Sequence, residues 1–368
     1  MENIKVLIVD DTIMYRKIMT HVVEQIDGVS VAGASSNGEL ALEKIPSVKP
    51  DLVLLDVEMP VMDGLETLKK IKAANPSIGV IMVSGANEHA AANTITALEN
   101  GALDFIGKPE GKDPQSSIEE LHRRLAPLIR VFIERREKSH KNPEEKAQSV
   151  INSYSDTKKK DVRPARKQAL PSKIDLIAIG ISTGGPNALA TVIPELPIDL
   201  KVPIVCVQHM PPMFTASLAD SLNRKSAVAV KEAVEGEALK PGVMYIAPGG
   251  KHMVVRNDEN RTISVGLNDN PKENNCRPAV DVLFRSIAAN FEGKNVLSII
   301  MTGMGDDGCK GVRTLKRKGA YCVTQEESSC VVYGMPRVVD EAQLSDESIP
   351  LDEIAQRIRT LVNQPVGV

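Results

Sequence analysis

Along the first 110 positions, apolar residues fall in short unbroken blocks, separated by longer stretches where they recur every three or four residues. The blocks Ile4–Val9, Val29–Ala34, Asp51–Leu55, Gly79–Val83 and Asp104–Ile106 are bounded by Asp, Gly, Ser or Pro. Continuous apolar strands of this kind belong to a parallel sheet buried on both faces. Thr12–Ile26, Asn37–Ile45, Gly64–Ala74 and Glu88–Asn100 carry helical spacing, and Ser117–Ile133 supplies a fifth helix. The pattern predicts a flavodoxin-like (βα)5 domain over residues 1–125, with its chemistry at the carboxyl ends of the strands.

From about Glu134 to Pro171 the periodicity stops. The runs Glu134-Arg-Arg-Glu-Lys138 and Lys158-Lys-Lys160, with few apolar residues, predict a solvated charged linker, bounded overall as residues 126–171. A second domain, 172–368, restarts the alternation. Ile174–Ile181, Pro203–Val207, Val243–Ala247, Met253–Val255, Thr262–Val265, Val296–Met301 and Tyr321–Thr324 read as strands. Asn187–Ile193, Pro212–Asn223, Ala279–Ala289, Gly311–Lys318, Pro336–Ala342 and Leu351–Val362 read as helices. This is a doubly wound, mostly parallel α/β domain, long enough for its own core.

Composition narrows the function. Lys and Arg number 45 against 48 Asp and Glu, a net charge of −3, which leaves no footprint for nucleic acid. No stretch approaches a membrane span. The five cysteines are odd in number and form no C-x-x-C pair, which points to a reducing, cytoplasmic setting. The chain is expected to be a monomer.

In the first domain Asp10 and Asp11 end the first strand, Asp56 the third and Ser84 the fourth, while Lys108 follows the fifth. Singly, an Asp-Asp pair is a helix cap and a Lys-Pro a turn. Together on one sheet edge, three carboxylates call for a hard divalent cation such as Mg²⁺. A cation and an ammonium beside a carboxylate are what attack on a phosphoryl donor requires. With the string Asp56-Val-Glu-Met-Pro-Val-Met-Asp-Gly64, residues 1 to about 125 resemble a response-regulator receiver domain. That resemblance implies Asp56 as phospho-acceptor, Asp10 and Asp11 as acidic metal pocket, and Ser84 and Lys108 as switch hydroxyl and lysine. Phe105 sits at the position of the family's switch aromatic, with a plain core role as the equal alternative.

In the second domain Gly180-Ile-Ser-Thr-Gly-Gly-Pro186 follows a strand and opens a helix. Gly-x-Ser-x-Gly is the nucleophile-elbow spacing, and the helix start suits a developing oxyanion. A phosphate-binding loop is the competing reading, weakened by the lack of a Walker lysine. His209, after its own strand, is the candidate base; His252 follows a Gly turn and is a candidate pocket residue. In Thr302-Gly-Met-Gly-Asp-Asp-Gly308, either Asp306 or Asp307 could orient the base, the other capping the next helix. The order Ser, His, Asp is not that of an α/β-hydrolase.

Ile179-Gly-Ile-Ser-Thr-Gly-Gly-Pro, Gln208-His-Met-Pro, Ala247-Pro-Gly-Gly, Arg277-Pro-Ala-Val-Asp281, Met301-Thr-Gly-Met-Gly-Asp-Asp-Gly and Val332-Tyr-Gly-Met-Pro336 together resemble the catalytic domain of the chemotaxis protein-glutamate methylesterases of the CheB type. Ala279 stands where that family often has Ser. The resemblance implies Ser182 as nucleophile, His209 as general base and Asp307 as orienting acid. The N–H groups of Thr183 and of the Met304–Gly305 turn are the expected oxyanion hole. It further implies removal of methyl esters from glutamyl side chains of chemoreceptors, deamidation of receptor glutamines, activation by a chemotaxis histidine kinase, and an unphosphorylated receiver covering the cleft. Two rival readings are a non-enzymatic phospho-switch with a binding module, and a nucleotide-binding regulator using the Gly-rich loop.

Overall fold

The computed structural model describes residues 3–85, 87–109, 114–140, 170–257, 262–291 and 295–363. The charged run Lys158–Lys160, most of the expected linker and part of the Asn257–Asn260 turn lie outside them.

The first domain contains strands β1 (Ile4–Val9), β2 (Val29–Ser35), β3 (Leu52–Asp56), β4 (Gly79–Ser84) and β5 (Asp104–Gly107), in the order β2-β1-β3-β4-β5. All pairs are parallel. Helices α1 (Ile13–Glu24), α2 (Gly38–Val48), α3 (Gly64–Ala74) and α4 (Glu88–Glu99) alternate with them. Asn37, Asp63 and Asn87 cap α2, α3 and α4 by accepting the N–H three residues on, so each helix begins where a short polar side chain satisfies an orphan donor. The fifth helix, α5, runs Pro114–His140. It continues past the expected end at Ile133 and across the expected linker start at 126, with Leu125, Ala126 and Ile129 buried against the sheet. Its apolar face carries the helix into a segment whose composition alone reads as solvated.

The second domain is a seven-stranded sheet of β6 (Leu176–Ile181), β7 (Ile204–Gln208), β8 (Ala229–Glu232), β9 (Val243–Ile246), β12 (Val296–Ile300), β13 (Tyr321–Gln325) and β14 (Glu347–Ile349), ordered β14-β13-β12-β6-β7-β9-β8. Every pair is parallel. A hairpin of β10 (His252–Asn257) and β11 (Ile263–Asn268) lies apart from it. Helices α6 (Gly185–Val192), α7 (Phe214–Lys225), α8 (Val280–Asn290), α9 (Cys309–Arg317), α10 (Met335–Glu341) and α11 (Leu351–Val362) complete the layers. Strands β8 and β14, Ala-Val-Lys-Glu and Glu-Ser-Ile, were not expected from the sequence. Both are short polar edge strands, which carry no apolar run because one side stays open to solvent.

The sheet order positions the site. The chain starts in the middle with β6, goes to one side with β7 and returns on the other with β12. The strand order reverses at β6, and the crevice outside such a reversal is where doubly wound sheets place their chemistry.

Candidate active site

Ser182, His209 and Asp307 follow β6, β7 and β12, the three adjacent central strands. Ile181 pairs with Gln208, so Ser182 and His209 leave the sheet side by side, and the His209 N–H donates to the Ile181 carbonyl at 3.2 Å. On the other side the Ser182 N–H donates to Thr302 O at 3.0 Å. Gln208, buried, holds the two loops together by donating from Nε2 to Ser182 O at 3.0 Å and His209 O at 3.3 Å.

The Ser182 turn needs its glycines. Gly184 has φ +74°, and a Cβ there would lie 2.4 Å from Val331 Cγ2; at Gly303 a Cβ would lie 2.7 Å from Ser182 Cβ. Backbone from the β12 loop therefore packs directly on the serine.

His209 Nε2 meets Asp307 Oδ2 at 2.7 Å, with the imidazole 12% and the carboxylate 3% exposed. Among the described residues no hydrogen bond joins the Ser182 hydroxyl to the ring, as is common in sites that tighten only with substrate bound. Since Nε2 faces the acid, Nδ1 is the nitrogen left to exchange a proton with the serine, and the Cys276 sulfur is the ring's other neighbour. Burial opposes a charge on the ring, but the hydrogen bond that the ring donates to Asp307, with the neighbouring Cys276 sulfur, outweighs it and pushes His209 up to about 9. Asp307 is held below its ordinary range: burial works against the anion, and the His209 and backbone hydrogen bonds prevail.

Of the two acids expected as orienting candidates, Asp307 is the one whose carboxylate meets His209. It also accepts the N–H groups of Val280 (2.7 Å) and Asp281 (3.0 Å) at the start of α8. Ala279, at the N-cap of that helix, has no side chain to cap it, so Asp307 caps it from across the site, where the helix dipole favours an anion. Asp306 is exposed, and α9 has no side-chain cap, the residue before it being Gly308; the expectation that the second acid caps that helix does not hold. His252 is also set aside: at the start of β10 it is 1% exposed, with its Nε2 3.1 Å from Pro271 O.

Of the expected oxyanion donors, Thr183 follows the serine directly; Thr302 Oγ1 donates to Thr183 O at 3.0 Å, fixing the Thr183–Gly184 peptide. Gly184 N–H, next along, is already taken by the Asp104 carboxylate of the first domain at 3.3 Å. Asn187 of α6 donates to Ala102 O at 3.4 Å, Lys225 pairs with Glu99 at 2.6 Å, and the Phe105 ring stacks on Phe214 with centroids 4.6 Å apart. Phe105 is thus neither a core residue of its own domain nor free; it bridges the two domains. The first domain lies over the serine loop, leaving a cavity of about 550 Å³ whose walls include Asp104, Phe132, Thr183 and Val331. None of Asp104, Phe214 or Cys276 stood out in the sequence as a site residue, because each draws its role from a contact remote along the chain.

At the carboxyl edge of the first sheet, oxygens of Asp10, Asp11 and Asp56 lie within 4.8 Å of one another. Lys108 Nζ sits 2.8 Å from Asp10 and 2.7 Å from Asp56, and 4.8 Å above the Tyr15 ring. Burial, with the neighbouring Asp10 and Asp11 charges, lifts Asp56 to about 6 against the pull of Lys108. Three oxygen donors at this spacing fit a hard divalent ion. Ser84 is buried and turned toward α4, donating to Gly85 O at 3.2 Å and accepting from Thr94 at 2.8 Å. The Asp10–Asp11 pair does not cap α1, whose N-cap is Thr12.

Comparison with known proteins agrees with both domains. Residues 177–358 match the CheB methylesterase family and residues 6–118 the response regulator receiver domain. A protein of Desulfotalea psychrophila named protein-glutamate methylesterase/protein-glutamine glutaminase is 45% identical over 359 residues, 97% of this chain and 98% of that one. A Geobacillus kaustophilus protein of the same name is 41% identical over 365 residues, 99% of this chain and 100% of its own. The crystal structure of the Thermotoga maritima CheB methylesterase catalytic domain, 42% identical, covers 52% of this chain and all of its own with a TM-score of 0.50. With a serine, a histidine and an aspartate gathered on one sheet edge behind a receiver, and relatives that align from end to end, the chain belongs to the protein-glutamate methylesterase/protein-glutamine glutaminase family.

Proposed function

We propose that Ser182, His209 and Asp307 carry the hydrolysis of glutamyl methyl esters and glutamine side chains that defines the family. The observation that supports it most is the buried His209–Asp307 bond beside the serine loop. His209 Nδ1 takes the Ser182 proton as Oγ attacks the side-chain carbonyl carbon. The tetrahedral oxyanion is held by the Thr183 and Met304 N–H groups. The C–O or C–N bond breaks, methanol or ammonia leaves with the proton from His209, and a water deprotonated by the same nitrogen releases the carboxylate. Asp307 stays ionised throughout, holding the ring and its positive charge.

The two proposed units are the receiver, residues 1–125, extended by the helix that continues to His140, and the hydrolase, 172–368, so that the expected linker, 126–171, begins inside that helix. Asp56 accepts the phosphoryl group, Lys108 neutralises its oxygens, and Ser84 and Phe105 respond. Asp10, Asp11 and Asp56 hold Mg²⁺, which supplies charge neutralisation on the transferred group. Chemoreceptors are the substrates and a chemotaxis histidine kinase the donor. Before phosphorylation Asp104 and Phe105 keep the receiver on the serine loop; phospho-Asp56 favours release by its differential free energy for the two states.

The test is methanol release from methylated receptor membranes, with and without acetyl phosphate and Mg²⁺. Release that rises with the phosphodonor and vanishes in Ser182→Ala is expected; release retained by the variant refutes the triad. The binding-module and nucleotide readings have no comparable support, since the Gly-rich loop 180–186 has no lysine and its Gly184 N–H is taken by Asp104.

A further inference from the structure

The orienting acid has a partner outside the triad. Residues Glu273 and Cys276 exchange backbone hydrogen bonds, N to O, at 3.1 and 2.8 Å. Between them Asn274 and Asn275 have φ +50° and +61°, the pair of left-handed residues that defines a type I′ turn. The turn is pinned to α8, because Arg285 donates to both carboxylate oxygens of Glu273, at 2.7 and 2.5 Å. So fixed, the turn aims the Asn274 carboxamide at two buried acids. Its Nδ2 lies 2.8 Å from Asp307 Oδ1 and 3.1 Å from Asp281 Oδ2. Both neighbours are acceptors, so the amide nitrogen must be the atom that faces them. Asp281 is itself anchored by the Gly311 N–H at 2.6 Å.

We infer that Asn274 is the positioning residue of this active site: one carboxamide spans Asp307 and Asp281, and sets the angle at which Asp307 meets His209. The inference rests on the triad proposed above. Asp307 is a four-bond hub, held by two backbone N–H groups, by His209 and by Asn274. The helix start holds the carboxylate in place, while the carboxamide is the side-chain donor to Oδ1 and leaves Oδ2 to the imidazole. The same amide sits between two carboxylates that would otherwise repel across the gap, and the charged groups around it are Asp307, Asp281, Glu273 and Arg285, with His209 and Cys276 beyond.

Two variants separate positioning from folding. Asn274→Gly keeps the left-handed turn and removes the carboxamide. Asn274→Asp keeps the shape and replaces the donor with an acceptor. Both are assayed as full chains, activated with beryllofluoride and Mg²⁺, by methanol release from methylated receptor membranes across pH. Asn274→Gly should lower kcat by about 10- to 100-fold, the span of a lost hydrogen bond to a charged group, with KM nearly unchanged. Its acid limb should move to higher pH, because Asp307, relieved of a donor, attracts the imidazole proton more strongly. Asn274→Asp should lose more and shift the limb further. Wild-type kcat in Asn274→Gly, or a reduced kcat with an unmoved limb, overturns the inference, since a merely structural role lowers the active fraction without moving the limb. Ser182→Ala measured alongside reads the triad separately. Its inactivity with an unmoved Asn274→Gly limb sinks the positioning role alone, whereas an active Ser182→Ala sinks the triad and the inference together.

Discussion

At the scale of single residues, the chemistry is set by how burial and charge compete. His209 is enclosed, which alone would make it a weak base, yet its carboxylate and sulfur neighbours push it up to about 9. Only the neutral ring accepts the serine proton, so kcat/KM should climb with pH toward a limb near 9 rather than level off at the ordinary histidine value. Cys276→Ala removes one of the contacts that raise the ring, so the limb should fall; a pH–rate profile of methanol release checks both. Asp56 behaves in the opposite sense. Lifted to about 6, it is protonated below that pH and is then neither nucleophile nor metal ligand. Activation by acetyl phosphate and Mg²⁺ should therefore fade as pH drops through 6, measured as phosphoryl incorporation.

Elements explain how remote residues meet. Parallel pairing brings the ends of β6, β7 and β12 into a row, and tight turns then aim the side chains. Gly184→Ala would force a left-handed alanine into Val331. The conformational cost of about 1–2 kcal/mol, with the clash added, should lower the melting temperature measurably and reduce methanol release. The junction of β5 with α6 is where the proposed regulation acts. Burial lifts Asp104 to about 6, against the Phe105 and Gly184 N–H groups that hold it down. Its carboxyl is raised in the covered form above its value in water. Protonation therefore favours the covered form, fully below the ordinary Asp pKa, and that advantage is lost as pH rises through 6. Asp104→Asn keeps an acceptor for Gly184 without the charge, so basal activity at neutral pH should drop below wild type in the absence of phosphodonor.

For the whole molecule, the receiver meets the hydrolase through Asp104 on Gly184, Glu99 on Lys225 and Phe105 on Phe214, the face of the proposed cover. Phe105 on Phe214 is a stacked pair, of the kind worth about 0.5–1.5 kcal/mol beyond area burial. Phe214→Ala should raise unphosphorylated activity about two- to tenfold, by shifting the covered population. A fragment beginning at Ser172 should hydrolyse esters at a rate indifferent to beryllofluoride. A dead fragment would mean that the receiver contributes to the site rather than masking it.

Much of this was legible in the linear chain. Buried parallel strands are unbroken apolar blocks, so nearly all the central strands could be read. The motif residues Ser182, His209, Asp307 and Asp56 lie at strand ends, where the topology of doubly wound sheets gathers them. What could not be read shares a physical cause. The edge strands Ala229–Glu232 and Glu347–Ile349 have no apolar signature, and α5 outlasts its own apolar periodicity, with Arg136 pairing to Asp51 beyond it. Composition and periodicity alone do not separate Asp306 from Asp307, which differ in where the backbone points them. The family resemblance had favoured Asp307, and three-dimensional burial separated the pair. Asn274, Cys276 and Asp104 act across tens of residues on groups that only the tertiary structure sets beside them. Local sequence thus determined which elements form and which chemistry the chain holds. Long-range packing alone decided which donor meets which carboxylate, because hydrogen bonds and charges act over a few ångströms and sequence separation carries no distance.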